Sequence, residues 1–128
     1  MDIDIYFDGQ LIYASSKLTH NGKTEVVDKL VIDTGAAKSF LSIDAVKEID
    51  IYFGDEDFIT TVYGVGGPDN SFQKTLDCVE FGSHKFKKYR VDFGAFHDDY
   101  GINGLIGLDL LKDMGVTIDL KNMTITET

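Results

Sequence analysis

The chain has 128 residues, 43% of them hydrophobic, with one proline and one cysteine. That suffices for one domain whose single core needs no staples, and the lone Cys78 excludes an intramolecular disulfide or a Cys-rich metal site. A formal charge of -10 argues against a nucleic-acid partner, because phosphate binding needs a basic face.

No apolar run approaches the ~20 residues of a membrane span, and no charged n-region precedes an apolar h-region. The expectation is therefore no membrane partner and a cytoplasmic location.

In chain order the pattern is mainly β. "DIDIYFDGQLIYASSKL" alternates around Gly9-Gln10 and predicts an N-terminal hairpin over about 1-18. "TEVVDKLVID" is rich in β-branched residues and predicts a strand ending at Asp33. "SIDAVKEI" spaces Ile43, Val46 and Ile49 three apart behind Ser42, the pattern of a short helix with a serine N-cap.

"FITTVYGVGGPDNSFQKTLDCVEFG" predicts two strands flanking a Gly-Pro turn cluster, and "HKFKKYRVDFG" alternates as another strand. "GLDLLKDMG" predicts a second short helix stopped by Gly115, and "GVTIDL" and "NMTIT" two closing strands joined by Lys121-Asn122. Short strands, Gly-rich turns and two minor helices imply a closed or folded-over β domain.

Three stretches are candidates for chemistry. "KLVIDTGA" ends an apolar strand on Asp33, then supplies Thr34, with a hydroxyl able to bond a facing backbone group, and Gly35, which lets another segment pass close. "YGVGG", Tyr63, Gly64, Val65, Gly66 and Gly67, puts three glycines at a hairpin tip, which suits a moving flap. "LIGLDLL" is an apolar strand stopped by Gly107 and followed at once by a helix.

Other motifs fall away. "GAAKS" lacks the spacing of a phosphate loop, "VDFG" has no kinase context, and "HDDY" lacks a second histidine at metal-binding spacing. The histidines are scattered without a nucleophile partner.

In this order the three stretches resemble the retropepsins, the retroviral-type aspartic proteases, in a single-domain cellular or bacterial-type form. The likeness runs from about Val26 to Leu120. It implies a retropepsin-like acid-protease half-barrel with one or two short helices and an active site at a two-fold dimer interface. The domain 1-128 would divide into the hairpin, a DTGA loop 33-36, a flap of about 58-75, and a helix with strands over about 104-126.

It also implies roles. Asp33 would be catalytic; Thr34, Gly35, Ala36 and Gly107 would support the active-site loop; residues Tyr63 to Gly67 would cover the substrate. No cofactor or metal is implied.

The chemistry of such enzymes uses two carboxylates, one as general base on water and one as general acid toward the peptide carbonyl. This chain has one Asp-Thr-Gly, so the second must come from another copy on a two-fold axis. The implied function is an aspartic endopeptidase, a homodimer acting on an extended peptide or protein. The alternative is a non-proteolytic peptide-binding or dimerisation module, or a latent monomer. Ala36 cannot donate the hydroxyl bond that Ser or Thr gives in pepsin-like enzymes, so the dyad is expected to ionise at higher pH than theirs, with activity in the range from mildly acidic to neutral.

The chain departs from viral members at Ala37-Lys38, where those usually carry acidic residues, and at Leu108-Asp109, where they carry an arginine. The acidic–arginine brace is thus missing or replaced. "NMTITET" is a candidate interface strand, unless its edge pairs elsewhere.

Overall fold

A computed structural model describes residues 3–54, 57–64, 67–95 and 101–127. Its strands are β1 (Ile3–Asp4), β2 (Tyr6–Phe7), β3 (Ile12–His20), β4 (Lys23–Ile32), β5 (Phe40–Ser42), β6 (Ile59–Gly64), β7 (Gly67–Phe81), β8 (His84–Gly94), β9 (Gly104–Ile106), β10 (Val116–Asp119) and β11 (Thr124–Glu127). A 3-10 helix spans Ile43–Ile49 and an α-helix, α1, spans Leu108–Met114.

The main sheet has eight strands in the order β2-β3-β4-β9-β5-β8-β7-β6, and an added β3–β7 pairing folds it back on itself. Lys17, Leu18 and Thr19 of β3 lie opposite Glu80, Val79 and Cys78 of β7. This closure wraps one sheet face around the core, where Leu18, Leu30, Val46, Ile49, Leu76, Val79, Phe93 and Ile106 are at most 2% exposed. The β3–β4 hairpin turns on Asn21 and Gly22, whose φ values of 52° and 76° are the left-handed pair of a tight two-residue turn.

Most predicted elements stand, with four differences. The N-terminal hairpin is split: Tyr6 and Phe7 pair back onto Tyr13 and Ile12, but Ile3 and Asp4 leave it to pair with Ile125 and Thr124. Apolar Ile3 and Ile5 drive this, since both become buried there.

Pro68 does not sit in a wide turn but in β7, opposite Tyr63, and Gly64 already pairs with Gly67. Pairing of β7 with β8 begins only at Phe72, so the missing proline N–H removes no ladder bond on that side. The short β5 was not foreseen, and Ser42 flanks the 3-10 helix without a side-chain cap bond; its N–H instead donates to the Asn103 carbonyl.

The fourth concerns the C-terminus. β11 is the middle strand of the sheet β1-β11-β10. Among the described residues β10 pairs along the whole of β11, while β1 takes Ile125 and Thr124 on its other edge, so the strand is engaged within its own chain. Among the described residues no helix is long and apolar enough to cross a membrane.

Candidate active site

Leu30, Val31 and Ile32 run parallel to Gly104, Leu105 and Ile106. The Asp33 N–H carries this ladder one residue further by donating to the Ile106 carbonyl at 2.9 Å. A tight turn follows, with Ala36 N–H on the Asp33 carbonyl at 3.2 Å and Gly35 N–H on Asp33 Oδ1 at 2.9 Å. Asp33 is half-buried, Thr34 and Gly35 are exposed, and Ala36 is buried. A carboxylate is thus held at the rim of the core by strand, turn and one amide donor. Among the described residues its other oxygen accepts no hydrogen bond.

Gly107 locks the second segment against this turn. A Cβ there would lie 2.7 Å from the Lys38 carbonyl carbon and oxygen and 2.8 Å from the Ala36 oxygen, distances that only glycine permits. Its N–H donates to the buried Ser39 Oγ at 2.9 Å. The Ser39 hydroxyl donates to Asp109 Oδ1 at 2.8 Å, and the same oxygen accepts from the N–H of Ser39 and of Leu110. Leu108 N–H closes the clasp on the Ala36 carbonyl at 2.8 Å. Where an arginine would brace viral members, Asp109 binds the active-site loop of its own chain.

Tyr63, Gly64 and Gly67 belong to the β6–β7 hairpin; Val65 and Gly66 lie outside the described residues. Beside Thr34, an open groove is lined by Leu108, Leu111, Lys112, Val116 and Ile118, with Leu108 46% exposed.

Residues 16–110 match the family model described as aspartyl protease. This chain belongs to the aspartyl protease family. In fold, the chain is similar to a retropepsin-like aspartic protease from Rickettsia conorii, whose crystal structure matches with a TM-score of 0.68 at 22% identity, covering 99% of this chain and 89% of that one. No curated protein matches the chain.

The fold places Asp33, Thr34, Gly35 and Ala36 in one turn, with Gly107 packed against it. Two members of the cluster escaped sequence reading, Ser39 and Asp109. Their only local signal is a small polar residue ahead of buried Phe40 and an acid in the first turn of α1. Among the described residues no three His, Cys, Asp or Glu side chains converge as metal ligands.

Proposed function

We propose that this aspartyl protease is an endopeptidase that works as a homodimer. Asp33 and its symmetry mate share one proton across a two-fold axis; one carboxylate deprotonates the attacking water and the other protonates the peptide carbonyl oxygen. Thr34, Gly35, Ala36 and Gly107 keep each carboxylate in place. The hairpin carrying Tyr63 to Gly67 closes over an extended peptide that binds through its backbone as an added strand.

One observation carries this reading: a single Asp-Thr-Gly per chain, with its carboxylate held at the core rim by Gly35 N–H. Half of the chemical machinery is present, and the other half must be a second copy. In this reading the seam runs through the exposed Thr34 and the adjoining groove of Leu108, Leu111, Val116 and Ile118, while β10 and β1 engage β11 within its own chain.

Cleavage of a diverse peptide library between pH 4 and 7, at high protein concentration, tests the proposal on wild type and Asp33→Asn. Cleavage by the wild type alone is the expected result. Silence from both folded proteins would leave a peptide-binding module, and equal cleavage would place the chemistry elsewhere.

A further inference from the structure

Among the described residues Asp92 is the one ionisable side chain in the buried polar set, 4% exposed, and its Oδ1 has no hydrogen-bond partner. No ion pair reaches it among the described residues. A buried carboxylate oxygen left without a partner is costly, so its place in the sheet calls for an explanation.

Strand alternation supplies one. The core face carries Leu30, Leu41, Phe72, Phe93 and Ile106. The opposite face is traced by direct pairings: Val31 faces Leu105, Leu105 faces Phe40, Phe40 faces Asp92, and Asp92 faces Gln73 of the flap's return strand. Asp33 continues this face, two residues beyond Val31 on an extended ladder. The Asp92 carboxylate therefore shares a floor with the candidate catalytic carboxylate. Three strand spacings of about 4.8 Å put it roughly 14 Å from β4, the span of about four residues of extended peptide.

We propose that Asp92 is a specificity-determining residue of this cleft, selecting peptides with a lysine or arginine within four residues of the scissile bond. The inference rests on the reading of this cleft as a peptide-cleaving site. A recessed carboxylate selects by reach, because only a long, slender side chain brings a cationic donor to it. The bound cation supplies the charge-assisted hydrogen bond that the free protein lacks. The chain's net charge of -10 adds attraction for basic peptides at longer range.

The test uses peptide pairs that differ only by lysine or norleucine, at each of four positions on either side of the cleaved bond. Wild type is expected to favour lysine at one position by about thirty-fold or more in kcat/KM, the scale of a buried charge pair. In Asp92→Asn, with Asp92→Ser as a second variant, that ratio is expected to collapse to within about threefold of unity.

A wild-type ratio near one at every position overturns the inference, as does a lysine preference that survives both substitutions. Fluorescence anisotropy with the same labelled peptides, on Asp33→Asn protein with and without Asp92→Asn, separates this inference from the proteolytic reading. No cleavage of any peptide by the wild type, together with an Asp92-dependent lysine preference in binding, would sink the enzyme and keep the site.

Discussion

At the scale of single residues, the clasp around Asp33 depends on Ser39. Its hydroxyl accepts from Gly107 N–H and donates to Asp109, so one small side chain ties the Asp33 loop to both the Gly107 stop and the first turn of α1. Ser39→Ala leaves the Gly107 N–H buried without an acceptor. The expected cost is about 1–3 kcal/mol of unfolding free energy, the range for a buried donor left unpaired, read from urea denaturation. Because the same loop carries Asp33, cleavage should fall further than stability alone explains, measured on protein still fully folded. Unchanged stability would mean that water replaces the hydroxyl. Ser39→Thr retains the hydroxyl and is expected to restore most of the loss, provided the tight site admits the methyl group.

At the scale of elements, the approach to β6 is tied down by an acid. Asp57 accepts from Gly54 N–H at 2.7 Å and from Lys74 Nζ at 2.6 Å, anchoring the segment before β6 to β7. The Lys74 hydrogen bond, then the Gly54 bond, holds the Asp57 carboxyl below its ordinary value, against a smaller opposing effect of desolvation. A carboxyl lowered by folding contributes stability above its unfolded pKa and loses it as pH falls through the folded one. Asp57→Asn is therefore expected to lower Tm at neutral pH and to flatten the fall of Tm below about pH 4. Parallel Tm curves for the two proteins would show that the anchor contributes nothing.

The elements also differ in how far local pattern announced them. The Asp-Thr-Gly strand, the Leu-Ile-Gly stop with α1, and the long β7–β8 pair were legible because each couples a periodic run to a residue that ends it. The three residues of β5 were not, since too short a run has no period to read. The departure of β1 toward β11 follows from which partner buries Ile3 and Ile5, a choice made by distant register. The same holds for Asp92: in "RVDFG" it alternates as an ordinary outward residue, and only its pairing with Phe40 and Gln73 shows that it is buried. Within the site the residues of the motif were legible, whereas the Ser39–Asp109 clasp joins positions seventy residues apart.

At the scale of the whole molecule, charge and groove set opposing demands on the proposed dimer. Each chain carries -10, so two copies approach against a repulsion that salt screens within about 10 Å at 0.1 M. The groove beside Thr34 offers apolar area in compensation, with Leu108 46% exposed at its edge. Raising NaCl is therefore expected to tighten the dimer, seen in sedimentation equilibrium, and to raise activity per chain in dilute solution. Leu108→Glu should weaken association at least about tenfold, because it removes apolar contact and sets like charges against each other across the axis. Leu108 lies outside the buried core cluster, so the variant should keep the wild-type Tm measured on dilute, monomeric protein. Its activity should return at higher protein concentration if the lesion is in assembly. Salt that weakened the dimer would instead point to ion pairs across the seam, with Lys112 of the groove the first cation to substitute.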